Sequence, residues 1–184
     1  TKDLTVVVHL LRAVLRTDGV GGFAAGLELT LGLLERYWES IYPDSPIRRM
    51  NTLASLCDVG TVLGPLREAP LVESRGLGKF SLKDVDLATS PPPAAEGQEP
   101  PVSMATIDAA FLDVDIDELK ATGDAVDRAF AAGEALDALI SERANAGEAP
   151  DFGPLRSALR HIRQVVAERL ERRGVGGPPP AEED

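Results

Sequence analysis

Two apolar-periodic stretches near the beginning of the chain decide the fold class: residues 3–19, DLTVVVHLLRAVLRTDG, and residues 23–42, FAAGLELTLGLLERYWESIY. In both stretches large apolar residues recur at intervals of three and four, which places them on one face of a helix. The pair Asp18-Gly19 separates the stretches, because glycine tolerates the left-handed conformation that is common just past a helix end. The sequence therefore predicts two consecutive helices, the second reaching Tyr42.

The second helix carries an unusually wide apolar stripe. Its centre is formed by Leu27, Leu31, Leu34 and Trp38, which we predict to be core framework. A stripe of this width indicates contact with more than one neighbouring element.

Signals after Pro43 predict a third helix and a small hairpin. Ser45 can cap exposed amide groups, and Pro46 at the first helical position has no amide to leave unpaired. The helix should run towards Asp58. Further on, two short apolar runs flank Arg75-Gly76-Leu77-Gly78, which indicates a β-hairpin or an ordered loop.

A Pro-rich segment divides the chain. It contains Ser-Pro-Pro-Pro followed by Ala, Glu, Gly and Gln, a composition that cannot bury apolar area and is typical of a semi-extended linker. Beyond it, Thr106 can cap a short helix, a long helix follows to about Ala146, and a last helix begins after Pro150. We predict a helical domain over residues 1–87, a linker over 88–103, a helical hairpin over 104–173 and a linker or disordered tail over 174–184.

Charge is distributed unevenly along the 184 residues, whose formal net charge is −11. Residues 104–148 contain 3 basic and 11 acidic residues, and residues 151–173 contain 6 basic and 3 acidic ones. Opposite charges on two helices joined by a short turn favour an antiparallel hairpin, although each exposed ion pair contributes only about 0–1 kcal/mol. The fold class is therefore mainly α, with a helical bundle before the linker and this hairpin after it.

Composition limits the function classes. A negative net charge argues against nucleic acid, which requires a Lys/Arg surface. No apolar run approaches the roughly 20 residues that span a bilayer, no signal peptide is apparent, and Cys57 alone cannot form an intrachain disulfide. We expect a soluble, cytoplasmic chain that is part of something longer.

No motif in the sequence predicts an enzyme, a metal site or a cofactor site. Asp113, Asp115 and Asp117 alternate like the start of a calcium loop, but Glu118 stands where glycine is needed. Acidic residues at a helix start explain them better, because the helix dipole favours them there. Cys57 is expected to be a buried small hydrophobe. We therefore expect the chain to act through binding and not through catalysis.

Basic residues near the start of a helix interact unfavourably with the helix dipole, so the positions of Arg48 and Arg49 need another explanation. Two explanations remain open: the two arginines form ion pairs with a carboxylate elsewhere in the domain, or they contact a partner. Together with Asp113, Asp115 and Asp117, the two arginines form our set of candidate partner-binding residues.

The amino-acid sequence of the predicted helices resembles that of the TssA family of type VI secretion systems, whose amino-terminal region is also called ImpA-N. The resemblance rests on the following stretches: residues 1–8 (TKDLTVVV), 11–19 (LRAVLRTDG), 33–38 (LLERYW), 49–56 (RMNTLASL) and 109–111 (AAF). Two departures stand out. Only Asp44 and Ser45 separate Pro43 from Pro46, where the family usually has a longer acidic insertion, and the family's ring-forming carboxy-terminal domain is not present in these residues.

The resemblance implies a non-enzymatic organiser of a contractile injector. Such proteins associate with baseplate, tail sheath and tube, and membrane complex, which could place the chain at the inner-membrane face, and the full-length protein is expected to be a homo-oligomer. No cofactor and no catalytic residue carries over. Two alternatives stay open: a generic cytoplasmic adaptor that binds a basic partner through the acidic helix, and an enzyme domain whose active site lies in other parts of a longer protein.

Overall fold

A computed structural model describes residues 2–91, 101–144 and 149–175 of the chain. In chain order the elements are α1 (Leu4–Tyr37), α2 (Pro46–Ala54), a 3₁₀ turn (Ser55–Cys57), a π-helical turn (Val59–Leu63), α3 (Gly64–Glu68), β1 (Pro70–Ser74), β2 (Gly78–Ser81), α4 (Leu82–Thr89), α5 (Met104–Asp113), α6 (Ile116–Arg143) and α7 (Gly153–Arg172). The prediction of a mainly α chain with a small hairpin is confirmed.

Helix α1 is a pair of antiparallel arms joined at Gly19. The backbone there is non-helical, with φ 59° and ψ −141°, in the left-handed half of the map that glycine tolerates. We call residues 4–18 the first arm and residues 20–37 the second arm. The two arms pack closely at Gly26 and Leu11. A Cβ added to Gly26 would lie only 3.2 Å from the Leu11 Cα. The predicted break between the first two helices is therefore confirmed.

The second arm ends earlier than predicted. Its helix stops at Tyr37 and does not reach Tyr42. Tyr42 instead pairs with the start of the chain: its carbonyl accepts from the Leu4 amide at 2.8 Å, and its amide donates to the Lys2 carbonyl at 2.9 Å. Residues 38–40 form a turn, in which the Ser40 amide donates to the Tyr37 carbonyl at 2.9 Å, and the chain then leads to the bridge at Tyr42.

The caps predicted for two helices behave differently. The Ser45 side chain accepts from the Arg48 amide at the start of α2, as predicted. The prediction that Thr106 caps α5 is wrong, because the cap is Ser103, whose side chain accepts from the Thr106 amide. Ser103 directly precedes the helix in extended conformation, whereas Thr106 already lies inside it.

The hairpin and the last two helices lie as the sequence indicated. Strand β1 pairs antiparallel with β2, with Val72 opposite Phe80. Helices α6 and α7 pack against each other, and Arg156 of α7 contacts both Glu134 and Asp137 of α6. The predicted pairing of an acidic helix with a basic one is confirmed.

The buried residues before and after the Pro-rich segment belong to one continuous core. Helix α6 packs along α1, an association that the sequence does not reveal. Leu27 and Leu34 are completely buried in this core, while Leu31 and Trp38 are half-buried. Residues 92–100 of the predicted linker and 176–184 of the predicted tail lie outside the described residues, and the domain division stays a prediction.

Candidate interaction surfaces

The predicted pair Arg48 and Arg49 separates into a structural residue and a surface residue. The Arg49 side chain is 7% exposed and donates to three carbonyl oxygens, those of Trp38 at 2.7 Å, Ile41 at 3.2 Å and Pro43 at 3.3 Å. The interpretation that it pairs with a carboxylate is wrong, because its partners are backbone carbonyls of the residues that follow α1. Arg49 thus ties α2 to the turn after α1.

Arg48 points the other way, into solvent. It lies beside Ile47, whose side chain is 68% exposed, and follows the exposed Tyr42 and Asp44. Among the described residues, no carboxylate forms an ion pair with its guanidinium. Arg48 remains a candidate for contact with a partner.

Two of the three candidate aspartates, Asp113 and Asp115, line a pocket of about 460 Å³ between the hairpin tip and the corner where α5 meets α6. Asp113 accepts from the Ser74 hydroxyl at 2.6 Å, which holds the hairpin against α5. Asp115 is the cap of α6 and accepts from the Asp117 amide at 2.7 Å. Asp115 and Asp117 thus lie at the start of α6, in agreement with the interpretation of acidic residues at a helix start. For Asp113 that interpretation is wrong, because Asp113 is the last residue of α5. Contact of the three aspartates with a partner stays a prediction.

Chemistry-bearing side chains do not gather in the described part of the chain. No group of three or more His, Cys, Asp and Glu residues there is placed to hold a metal ion. Cys57 is half-buried against the core, and burial raises the pKa of its thiol, which lowers its reactivity. His161 Nε2 lies 3.6 Å from Asp86 Oδ1. His9 is exposed on the first arm.

Two open grooves lie outside the predicted residues. One of about 860 Å³ runs between the π-helical turn, α3, α4 and α7, where Leu63, Leu82 and Ala158 line it. The other, of about 700 Å³, lies at the Gly19 turn beside Ala121 of α6. Both are lined by residues from elements far apart in sequence, so no local pattern of residues predicts them.

Three arginines at the end of α7 hold α5, a role that sequence reasoning missed. Arg169 is buried, with its guanidinium 3.2 Å from Asp108 and stacked 5.1 Å from the Phe111 ring centre. Arg172 pairs with the same aspartate at 2.9 Å. Arg173 donates to the Phe111 and Val114 carbonyls at the end of α5. The sequence shows that arginines cluster at the end of α7, but it does not show that they contact α5.

A bidentate ion pair joins α6 to the second arm. Arg128 donates to Glu28 from Nε at 2.8 Å and from Nη2 at 2.6 Å. The hydrogen bonds from Arg128 lower the pKa of Glu28 below its ordinary value. Both side chains are more than 40% exposed, so solvent screens the pair.

We expect only a small favourable coupling energy between Glu28 and Arg128 in a double-mutant cycle with E28Q and R128M, because solvent screens this exposed pair. Because the folded-state pKa of Glu28 is lowered, this stabilisation is present above the unfolded-state pKa and is lost as pH falls through the folded value. Urea unfolding at pH 7 and at acid pH measures it. A coupling energy that persisted in full after Glu28 is protonated would contradict the assignment.

Comparison with known proteins assigns a family to this fold. Residues 1–58, which contain α1, α2 and the Arg49 anchor, match the family described as "ImpA, N-terminal, type VI secretion system". Over 176 residues the chain is 35% identical to the type VI secretion system component TssA1 of Pseudomonas aeruginosa. The chain belongs to the TssA family. The predicted resemblance is confirmed, and the match covers 90% of the chain but only 49% of that relative, about half its length.

A solved structure supports the family assignment at the level of the fold. It is described as the N-terminal domain, including the conserved ImpA_N region, of the TssA component from Burkholderia cenocepacia. It superposes with a TM-score of 0.78 at 26% identity, covering 95% of this chain and 74% of that one. None of the helices in the described ranges combines the length and the apolar character that a membrane span requires.

Proposed function

We propose that this chain is a non-enzymatic assembly component of a type VI secretion system, which helps to organise baseplate and tail tube and sheath through protein–protein contacts. The observation that carries the proposal is the 35% identity to TssA1 across nearly all of the chain. The proposal places the protein in the cytoplasm, where a complex can bring it to the inner-membrane face.

The architecture supports a scaffold role. The core is continuous from α1 to α7, and polar anchors such as Arg49 and Arg169 fix helices at their ends. Packed helices that expose apolar side chains, here Ile47 and Leu112, are more typical of a protein-binding surface than of an active site.

The alternative of an adaptor that binds a basic partner through α6 receives less support. Three of its carboxylates are already engaged by α7, Glu134 and Asp137 with Arg156, and Asp127 with Arg163. Charge that is neutralised inside the hairpin is not available to attract a partner.

The test is a crosslinked pull-down of the native protein from its own cells, read out by mass spectrometry. We expect sheath, baseplate or membrane-complex proteins among the crosslinked partners. Recovery of the protein itself together with unrelated metabolic proteins only would contradict the proposal. A matched strain without the secretion system controls for chance capture.

A further inference from the structure

The first arm of α1 has an exposed leucine on the side that faces away from the core. The arms touch at Leu11 and Gly26. With about 100° between successive helical residues, the buried Val8 and Leu15 are rotated from Leu11 by about 60° and about 40° in one sense, towards the core. Leu10, which is 47% exposed, is rotated from Leu11 by about 100° in the opposite sense.

The second arm repeats this arrangement. The buried Phe23 and Leu27 are rotated from Gly26 by about 60° and about 100° towards the core, in the same sense as the buried residues of the first arm. Leu29, which is 43% exposed, is rotated from Gly26 by about 60° in the opposite sense. Because two antiparallel helices in contact are related by a twofold rotation, the same sense on both arms leads to the same side of the pair. Leu10 and Leu29 therefore lie on one surface, on the outer side of the arms.

A third aliphatic side chain extends this surface. Val6 is 61% exposed and lies one helical turn before Leu10, about 40° further around the axis. With a rise of about 1.5 Å per residue from the contact between the arms, Leu10, Leu29 and Val6 follow one another in steps of about 3 Å. The arms stay together towards this end, where the Lys2 ammonium lies 4.0 Å from the centre of the Tyr37 ring. A single exposed aliphatic residue is ordinary, but three this close are typical of a binding site.

Towards the Gly19 turn the same side of the arms carries smaller side chains. Thr17 and Ala25 are both exposed, and they are rotated from the contact by about 120° and about 100° in the same sense as the exposed leucines. The half-buried Gly22 lies between them at the seam of the arms. We define the outer face as the exposed residues Val6, Leu10, Thr17, Ala25 and Leu29.

No residue of the outer face is charged, although the chain as a whole carries −11. Three carboxylates border it. Asp3 is engaged as the cap of α1, and Glu28 is bound by Arg128 of α6. Glu35 is exposed and is rotated by about 100° from its neighbour Arg36, away from the outer face. Two copies of this acidic chain can therefore approach each other here without directly opposed carboxylates.

The two ends of the outer face complement each other in size and in charge. The aliphatic side chains lie at the end away from the Gly19 turn and the small ones lie near it, so the aliphatic half of one copy fits the small half of another copy turned end over end. The exposed Arg36 at one end then approaches the exposed Asp18 at the turn of the other copy. Among the described residues, neither of the two side chains forms an ion pair within its own chain.

We infer that the outer face binds a second copy of this chain, turned end over end, in a twofold-symmetric contact of four helical arms. Val6 and Leu29 of each copy pack against the half of the other copy that contains Thr17 and Ala25, so that every contact occurs twice. The two exposed charge pairs set the orientation more than the affinity. The first arm is only about 22 Å long, so we expect a reversible dimer and not a permanent one. This association is separate from the proposed contacts with other proteins of the secretion system.

Sedimentation equilibrium of the chain, over a concentration series that reaches the millimolar range, tests the inference. We expect a monomer–dimer equilibrium that L10E and L29E each weaken at least about tenfold, because each buries a carboxylate in the contact. L112E, at the exposed Leu112 of α5, is the matched control and should dimerise like the unaltered chain. Circular dichroism checks that all variants are folded. A chain that stays monomeric throughout, or a dimer that neither L10E nor L29E weakens, would overturn the inference.

Charge reversal tests the orientation of the two copies. We expect R36D and D18R each to weaken the dimer, because like charges then face each other at both charge pairs. An equimolar mixture of the two variants should recover association, because both pairs again join opposite charges. Energy transfer between differently labelled variants measures the mixed dimer. A mixture that associates no better than either variant alone would show that the copies do not meet end over end.

A photocrosslinking amino acid at Leu29 tests the occupant in the native protein in its own cells. We expect a crosslink to residues 17–25 of a second copy. A crosslink to lipid or to a different protein would overturn the inference. If that different protein belonged to the secretion apparatus, the proposed function would stand while the second copy would not.

Discussion

Replacing Arg49 with alanine is expected to lower the free energy of unfolding by about 3 kcal/mol, because buried groups that lose a charged hydrogen-bond partner cost roughly 1–3 kcal/mol each. The substitution leaves the Trp38, Ile41 and Pro43 carbonyls without their shared donor. It also removes the packing of the guanidinium against the Trp38 ring, whose centre lies 5.3 Å away. Urea unfolding followed by circular dichroism measures the change.

Two further variants make this result specific. R48A removes the adjacent exposed side chain and should change the free energy of unfolding by less than about 0.5 kcal/mol. R49K keeps the positive charge but not the planar fork of donors, so it should recover only a small part of the loss. If R49K were as stable as the unaltered chain, charge rather than donor geometry would be responsible.

Gly26→Val is expected to lower the free energy of unfolding by about 2–3 kcal/mol, as overpacking at a close contact does. A Cβ at this position would lie 2.8 Å from the Leu11 Cγ and 3.2 Å from its Cα. The larger side chain therefore has to push the two arms of α1 apart. Thermal and urea unfolding both report the loss.

The same substitution at Gly32 is the matched control. Gly32 lies on the same arm, but no atom is within 4 Å of the position that its Cβ would occupy. G32V should leave stability within about 0.5 kcal/mol of the original, since only helix propensity changes. Equal losses at the two positions would mean that helix propensity, not the approach of the arms, sets the cost.

Local signals predicted the helices of this protein well. The break at Gly19, the Ser45 cap and the charge complementarity of α6 and α7 are each encoded within a few residues or within adjacent helices. Where such a signal competed with a long-range contact, the prediction was wrong. The helix predicted to reach Tyr42 ends at Tyr37, because Tyr42 pairs with backbone some 38 residues earlier.

Candidate partner residues could be selected from sequence but not separated by role. Arg48 and Arg49 are adjacent basic residues with the same propensities, yet the helical rotation of about 100° between them directs one into solvent and the other into the core. Which side of α2 is buried depends on the position of α1.

The sequence by itself determined the mainly α class, the arms and their glycine turn, the small hairpin, the acidic and basic last helices, and the resemblance to the TssA family. Spacing, caps and charge are local, and each acts on a few neighbouring residues. Only the tertiary structure decided that α6 packs along α1, that Arg49 and Arg169 anchor helix ends, and which apolar residues stay exposed. Those outcomes depend on the complementarity of surfaces distant in the chain, because burial is shared by every element that packs into one core.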